Sequence, residues 1–328
     1  MNALTPTIVA PKINRSLKLQ FQGDWGRANL HRAFGWLSQE MVNICGPHTR
    51  IAIWNGTGAM KNIRAVGRGE VDVAMVTPAA FAAMALEGRG IFAGEAYPHL
   101  RALGHVPQDD RMILAVRRDL GIRSFEDLRT KKPKLRITTG LDDGENFMGL
   151  AAMEIFAKSG MPRAAMEAWG CHFIEHETPR ACVDEMMTGN ANAIFQEAIM
   201  THYWTKMADT LALDFIPIEP AARDQLMQDF GWPSAALPKG YLRGMNRELE
   251  FLDFSDFLLA TTTELPDDVA HAIAWSLVER WNLLEDQYRH IPPARSPVSY
   301  PLDPKAACRT PIPLHPGAER YFRSAGHL

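Results

Sequence analysis

Short apolar runs alternate along the chain with segments in which apolar residues recur every three or four positions. The run at 17–22 predicts a strand, and the segment 28–43 predicts a helix with one apolar face. The positions on that face are Leu30, Phe34, Leu37, Met41 and Ile44. Further strands are predicted at 50–54 and 71–76, and further helices at 59–67 and 79–86. A βαβαβα order is typical of an α/β fold with mainly parallel sheets flanked by helices.

A second alternation of the same kind begins at residue 135. Its strands are predicted at 135–139, 171–175 and 193–196, and its helices at 146–159 and 179–188. A strand at 254–261 and a long helix at 269–287 follow, and frequent prolines predict an extended segment at 291–316. Because one hydrophobic core rarely fills a chain of 328 residues, two domains are expected.

Composition and charge narrow the classes of function. Hydrophobic residues make up 46% and charged residues 22% of the chain, which is typical of a folded globular protein. The formal net charge is −3 and the basic residues are dispersed, so no nucleic-acid partner is expected. No apolar stretch is long enough for a transmembrane helix, so no direct membrane insertion is expected.

No metal site and no cofactor are expected from the sequence motifs. The four cysteines include no C-x-x-C pair and have no histidine at metal-ligand spacing, and they are either paired or free thiols. The motifs G-x-S-x-G, H-E-x-x-H and G-x-G-x-x-G and the P-loop are also missing. The first 25 residues lack the features of a signal peptide, which predicts a cytoplasmic protein; a periplasmic location is the alternative if a signal had been trimmed.

The segment 312–322, Ile-Pro-Leu-His-Pro-Gly-Ala-Glu-Arg-Tyr-Phe, resembles the C-terminal signature of the TAXI group of solute receptors. These receptors are the binding proteins of tripartite (TRAP) transporters. Supporting similarity lies at 62–66, 69–74, 123–128 and 265–270, and the resemblance covers about residues 17–326.

The resemblance implies a two-lobed, type II periplasmic-binding-protein-like fold with two crossovers. On that map lobe one comprises 1–113 plus 256–328, lobe two comprises 114–255, and the ligand cleft lies between them. TRAP membrane subunits are the implied partners if the protein is exported. The loops at 22–27 and 141–147 depart from the glycine-rich loops of the family, so we expect a changed ligand.

The turn that follows Trp54 is the first candidate for ligand binding. In parallel α/β sheets the unpaired N–H groups at helix starts favour an anion. Asn55, Gly56, Thr57 and Gly58 lie at such a strand-to-helix junction, and the glycines permit close backbone approach. We therefore expect this turn to hold the carboxylate of a small-molecule ligand; the alternative is a plain connecting turn.

Two other strand ends of lobe one carry candidate side chains. Asp24 and Trp25 follow the first strand, and Trp25 with Trp54 would either stack on an aromatic ligand or close the core. Thr77 ends the third strand and would either offer a hydroxyl to the ligand or cap the next helix.

Lobe two has a corresponding junction after its first strand. Thr139 ends that strand, and Glu145, Asn146 and Phe147 begin the next helix, where acidic residues also serve the helix dipole. Arg180, near the start of a later helix, would supply a cation. All five are candidate ligand-binding residues.

Glu197 follows the last predicted strand of lobe two, with His202 and Trp204 shortly beyond it. Glu197 and Trp204 are candidate ligand contacts, and Glu197 and His202 are candidate catalytic residues, because a Glu and a His at one crevice can act as acid and base. The leading hypothesis is binding, without chemistry, of a small organic carboxylic acid, with aromatic acids among the candidates. The alternative is a cytoplasmic enzyme recruited from this fold, such as a cofactor-independent decarboxylase or other lyase acting on an aromatic or dicarboxylic acid.

Overall fold

The structure, a computed structural model, describes residues 9–24, 29–198, 201–255 and 257–328. The chain divides into two compact units: unit 1 is Met1–Gln108 with Asp256–Leu328, and unit 2 is Asp109–Ser255. The chain thus passes from unit 1 to unit 2 after Gln108, whereas the family resemblance implied a boundary after 113. The reason is that Arg111 is bound within unit 2, by Asp253 and Ser255 at 2.8 Å each.

Twelve strands are present in the described residues. In chain order they are β1 (Lys18–Gln22), β2 (Arg50–Trp54), β3 (Val73–Val76), β4 (Leu100–Val106), β5 (Arg111–Arg117), β6 (Arg136–Gly140), β7 (His172–His176), β8 (Ala193–Glu197), β9 (Leu213–Ile216), β10 (Ser234–Leu237), β11 (Leu249–Asp253) and β12 (Phe257–Thr262).

The α-helices of the same residues flank these strands. In chain order they are α1 (Asn29–Ile44), α2 (Ala59–Gly67), α3 (Ala80–Glu87), α4 (Phe125–Lys131), α5 (Phe147–Lys158), α6 (Arg163–Ala168), α7 (Pro179–Thr188), α8 (Thr201–Thr210), α9 (Pro220–Phe230), α10 (Asp267–Glu279), α11 (Asn282–Glu285), α12 (Pro304–Ala307) and α13 (Pro316–Ser324). No helix in the ranges given above is long and apolar enough to cross a membrane.

Unit 1 contains a five-stranded sheet in the order β2-β1-β3-β12-β4. β1 pairs in parallel with β2 and with β3, as the βαβαβα pattern predicts. β12 is antiparallel to both β3 and β4. The sheet is therefore mixed: the returning segment of the chain supplies one strand of opposite direction.

Unit 2 contains a seven-stranded sheet in the order β10-β11-β5-β8-β6-β7, with β9 also beside β5. β6, β7 and β8 are parallel to one another, and β5 is antiparallel to β8. The carboxyl ends of β6 and β8 therefore lie at the edge where β5 begins. The strands β9, β10 and β11 and the helices α8 and α9 were not predicted from the sequence.

The cores follow the predicted apolar pattern. In α1 the predicted face is buried at Phe34, Leu37, Met41 and Ile44. Each of these side chains is removed from water, which stabilises the unit by about 1.5–3 kcal/mol per side chain before entropy is counted. The pattern thus identified the buried face of α1.

The C-terminal signature segment has a packing role in unit 1. The carbonyl of Pro313 accepts a hydrogen bond from the N–H of Ala102 at 2.9 Å, and the N–H of His315 donates to the Ala102 carbonyl at 2.8 Å. At Gly317 a Cβ atom would lie 2.0 Å from the carbonyl oxygen of Asp267, so only glycine permits this approach. The signature therefore joins β4 and then packs α13 on α10. The segment before it is not extended throughout, because α12 lies at Pro304–Ala307, so the prediction for 291–316 is wrong there.

Candidate functional site

Three parallel strands of unit 1 end at the same edge of its sheet. The N–H of Gly23, after β1, donates to the carbonyl of Trp54 at 3.1 Å, and the N–H of Gly56, after β2, donates to the carbonyl of Asp24 at 3.3 Å. The loops after β1 and β2 are therefore bonded to each other. We call residues 24, 32, 55–58 and 77 the strand-end site.

Asn62 of α2 holds the backbone beneath the strand-end site. Its side chain is fully buried, and its Nδ2 donates to the carbonyl of Gly23 at 2.9 Å and to the carbonyl of Met75 at 2.7 Å. One amide group thereby ties the end of β1 to β3. Sequence reasoning gave Asn62 no role, because its acceptors lie 39 and 13 positions away along the chain.

Glycine is required at two positions of the turn before α2. A Cβ atom at Gly56 would lie 2.2 Å from Oδ1 of Asn62 and 2.9 Å from the carbonyl oxygen of Gly23. Gly58 has φ of 87°, a conformation that L side chains rarely adopt. The turn is therefore built for close backbone packing, and its role in ligand binding stays a prediction.

The start of α2 has no side-chain cap. Gly58 is its N-cap and provides no side-chain hydrogen bond, so the first N–H groups of the helix are left for another acceptor. Oγ1 of Thr57 is buried and has no hydrogen-bond partner among the described residues. Both features place hydrogen-bond donors at this point of the strand-end site, which suits an anion.

Asp24, Arg32 and Tyr288 lie close together at the end of β1. Asp24 is 2% exposed, whereas Arg32, near the start of α1, is exposed. The hydroxyl of Tyr288 is hydrogen-bonded to Arg32. Burial raises the pKa of Tyr288, and the negative charge of Asp24 raises it further, whereas the hydrogen bond and positive charge of Arg32 lower it. Sequence reasoning missed Arg32, the cation of this group, because Tyr288 lies far away along the chain.

The aromatic candidates of unit 1 have different outcomes. Trp54 is 54% exposed, and its Nε1 donates to Oε1 of Gln20 at 3.0 Å, so the indole lies on the exposed face of β1 and β2. Asn55 is also exposed. Trp25 lies outside the described residues.

Thr77 lies directly after β3 and is 6% exposed. The peptide bond between Thr77 and Pro78 is cis. The N-cap of α3 is Ala79, two residues after Thr77, and it provides no side-chain cap. Both the ligand-binding role and the capping role of Thr77 stay predictions.

In unit 2, the strand end at Thr139 is fully buried. Sγ of Cys182 donates to the Thr139 carbonyl at 3.1 Å, and Nε2 of Gln196 donates to that sulfur at 3.3 Å. Oγ1 of Thr139 has no hydrogen-bond partner among the described residues. Burial raises the pKa of the Cys182 thiol, so it is a neutral, structural group.

The start of α5 differs from that of α2 because side chains cap it. Oδ1 of Asn146 accepts the N–H of Met148 at 2.9 Å, and Oδ1 of Asp143 accepts the N–H groups of Glu145 and Asn146 at 2.9 and 2.8 Å. The amide of Asn146 also donates to the carbonyl of Glu177 at 3.3 Å. Asn146 is thus committed to the fold, and an anion at α5 would compete with these caps.

Two predicted ligand contacts lie in the interior of unit 2. Phe147 is 1% exposed and packs edge-on against Trp232 and Phe254, with ring centroids 5.3 and 5.1 Å apart. Trp204 is fully buried, and its Nε1 donates to the carbonyl of Glu197 at 2.8 Å. Their apolar surface is used for packing, so both residues are omitted from the proposed site.

Arg180 and His202 both contact Tyr203. The guanidinium carbon of Arg180 lies 4.2 Å from the centroid of the Tyr203 ring, and Arg180 also forms an ion pair with Asp184 at 2.9 Å. The rings of His202 and Tyr203 have centroids 3.8 Å apart, and His202 is exposed. Sequence reasoning gave Tyr203 no role, although its ring contacts both Arg180 and His202.

A buried carboxyl pair lies where β8 ends and β5 begins. Glu197 is 5% and Asp110 is 2% exposed. Oδ1 of Asp110 accepts the N–H groups of Arg111 and Ala198 at 2.8 and 3.2 Å, while its Oδ2 has no hydrogen-bond partner among the described residues. Burial, and secondly the charge of Glu197, raise the pKa of Asp110 well above its ordinary value. Among the described residues no three His, Cys, Asp or Glu side chains form a metal-binding group.

Solved structures of low sequence identity share this fold. PhnD1 from Prochlorococcus marinus, in complex with methylphosphonate, is 10% identical with a TM-score of 0.53, covering 95% of this chain and 99% of that one. A protein from Bordetella bronchiseptica RB50 is 12% identical with a TM-score of 0.52, covering 94% and 98%. A periplasmic transporter is 12% identical with a TM-score of 0.50, covering 94% and 92%.

The predicted fold class, the type II periplasmic-binding-protein-like fold, is confirmed. The resemblance to solute receptors is confirmed at the level of a solute-binding-protein-like fold, though not for the TAXI group in particular. The model of the NMT1-like family matches residues 40–326, which is most of the chain. This chain, with its two mixed α/β sheets and its glycine-shaped strand-end site, belongs to the NMT1-like family.

Proposed function

We propose that this protein is a solute-binding protein that binds the carboxylate of a small organic acid at the strand-end site. The uncapped start of α2 at Gly58 carries the proposal, because it leaves backbone N–H groups for an acceptor. The hydroxyl of Thr57 and the guanidinium of Arg32 add donors at the same edge of the sheet. Three kinds of donor at one strand edge favour an anionic group.

The resemblance implies that unit 2 supplies the other contacts of the ligand, and this stays a prediction. The carboxylate itself belongs to unit 1, because Asn146 and Asp143 already occupy the corresponding donors of α5. Of the unit 2 candidates we retain Arg180 and His202, which both stack on the half-buried Tyr203; Thr139 is as fully buried as Phe147 and Trp204. An aromatic ring in the ligand would find a stacking surface there.

The partners and location follow from the same proposal. A receptor of the TAXI kind would deliver its ligand to TRAP membrane subunits, which requires export to the periplasm. The signature at 312–322 packs α13 onto α10 in unit 1.

The test is ligand binding by matched arginine variants. Benzoate, phthalate, succinate and methylphosphonate are titrated into the protein by isothermal calorimetry, with melting curves in parallel. We expect at least one carboxylate to bind. Arg32→Gln should then weaken it roughly tenfold or more, since an ionic hydrogen bond contributes about 1.5–3 kcal/mol. Arg50→Gln is the control, because this substitution also removes one positive charge. Arg50 is exposed and lies at the opposite end of β2 from the strand-end site.

Thr57→Val removes only the Oγ1 hydroxyl and should weaken the same ligand several-fold. If Arg32→Gln and Thr57→Val both bind as tightly as the unsubstituted protein, the strand-end site is the wrong place. Mass spectrometry of each mixture tests the enzyme alternative. Turnover that Glu197→Gln or His202→Ala abolishes would replace pure binding with catalysis.

A further inference from the structure

Unit 2 has a cavity at the edge opposite to the carboxyl ends of β6 and β8. Its volume is about 520 Å³, and Arg118, Arg123, Asp214 and Arg247 line it together with the loop at 244–246. β5 runs antiparallel to β8, with Met112 beside Glu197, so the end of β5 and Arg118 lie where the parallel strands begin. The cavity therefore belongs to a different edge of the sheet from the carboxyl pair of Asp110 and Glu197.

The charge of this cavity is strongly positive. Arg118, Arg123 and Arg247 each contribute one positive charge, and Asp214 is the carboxylate that lines the cavity with them. Nε of Arg118 lies 3.0 Å and Nε of Arg123 lies 3.5 Å from the Asp214 carboxylate. In the described part of the chain Arg247 forms no ion pair. One carboxylate thus faces three guanidinium groups.

The guanidinium groups keep most of their donors available. Each guanidinium has five N–H donors in a fixed plane. In Arg118, Nε donates to the Asp214 carboxylate and Nη2 donates to the carbonyl of Leu213 at 2.7 Å. In Arg123, Nε donates to the Asp214 carboxylate. The amide of Asn246 adds further donors to the lining. This donor set matches an anion with several oxygen atoms.

The backbone holds Arg118 in place. Gly244 has φ of 107°, and a Cβ atom there would lie 2.9 Å from Nη2 of Arg118 and 2.8 Å from the carbonyl oxygen of Leu213. With the Asp214 and Leu213 bonds, the guanidinium is fixed before any ligand arrives. A fixed donor loses less conformational entropy on binding.

We propose that this cavity is a second binding site, for a small anion that carries two or more negative charges. The chemistry that it recognises is a phosphate-type or polycarboxylate group bound by two or three guanidinium groups. The site is independent of the proposed organic acid at the strand-end site, since it shares no residue with it. Binding here would let the protein respond to an anion other than its solute.

Inorganic pyrophosphate is the probe, and acetate at equal ionic strength is the singly charged comparison. Isothermal calorimetry in low salt should detect pyrophosphate binding that weakens as sodium chloride is added. Arg247→Gln and Arg123→Gln should each weaken binding at least about fivefold, and the double variant should abolish it. Both side chains are exposed, so neither change threatens folding.

Arg243→Gln is the matched control, because it removes one positive charge from the same loop. Arg243 is exposed and does not line the cavity. It should bind pyrophosphate within about twofold of the unsubstituted protein. No heat with pyrophosphate at millimolar concentration would overturn the proposal. So would equal losses in Arg243→Gln and Arg247→Gln, which indicate a general charge effect. A loss caused by Arg32→Gln instead would assign the binding to the strand-end site and equally overturn it.

Discussion

Asn62→Asp is the sharpest perturbation of the strand-end site, because it changes one donor atom and leaves the volume unchanged. The amide that now bonds the carbonyls of Gly23 and Met75 at 2.9 and 2.7 Å would become an oxygen facing two oxygens. Each buried carbonyl that loses its partner costs about 1–3 kcal/mol. The two together predict that the free energy of unfolding falls by about 2–6 kcal/mol.

That loss is a large part of the 5–15 kcal/mol that typically holds a protein folded. A buried carboxylate among carbonyls would take up a proton, and the protonated form can donate to one of them. The destabilisation should therefore be greatest at pH 8 and smaller at pH 5. Urea unfolding followed by circular dichroism at both pH values measures it.

The control for this variant is Asn43→Asp. Asn43 is exposed on α1 and accepts one hydrogen bond from Gln39 at 3.3 Å. Its unfolding free energy should change by no more than about 0.5 kcal/mol. If Asn62→Asp is as stable as Asn43→Asp at both pH values, the two carbonyl bonds do not hold the strand-end site together and the reasoning fails.

Three further outcomes concern unit 2. Asp110 has a raised folded-state pKa, so the stability from its neutral form is present below its ordinary pKa of about 4 and is lost as pH rises through the raised value. Asp110→Asn should match the unsubstituted protein in acid and exceed it by about 1–3 kcal/mol at pH 9 in urea unfolding; an equal pH dependence of both proteins would contradict this. Phe147→Ala leaves a cavity beside Trp232 and should cost about 3–5 kcal/mol, and an unchanged urea midpoint would mean that Phe147 is not a core residue. Gly149→Ala places a Cβ 1.9 Å from the carbonyl oxygen of Leu141 and should lower the melting temperature by several degrees, roughly the effect of 1–3 kcal/mol; an equal melting temperature would refute the close contact.

The first half of unit 1 could be predicted because each of its elements carries its own signal. The strand Arg50–Trp54 is followed by a glycine turn and then by a helix with a regular apolar face. The strand Ser234–Leu237 has the sequence Ser-Ala-Ala-Leu, which shows neither alternation nor a β-branched residue, and tertiary pairing with Leu249–Asp253 determines it instead. Short edge strands of this kind are not visible in a single sequence.

Part of the candidate site could also be predicted from the sequence, and part of it could not. The turn at 55–58 was predictable because its glycines lie next to a strong strand signal. The contributions of Asn62 and of Arg32 with Tyr288 arise from contacts between residues remote in sequence, which periodicity does not report. Phe147 was assigned to the ligand because it follows a strand end, whereas its partners Trp232 and Phe254 come from distant segments.

The position of β12 bears on how the protein is made. Unit 2 is one continuous segment, whereas the sheet of unit 1 receives its fourth member, between β3 and β4, from residues 257–262. A ribosome therefore synthesises all of unit 2 before β12 is available to complete the sheet of unit 1. Until then, the edges of β3 and β4 that pair with β12 stay unpaired. Contacts of such long sequence separation slow folding and expose strand edges to wrong partners. In this chain, β1 to β4 are thus synthesised before unit 2, and their sheet is completed only after unit 2 has been synthesised.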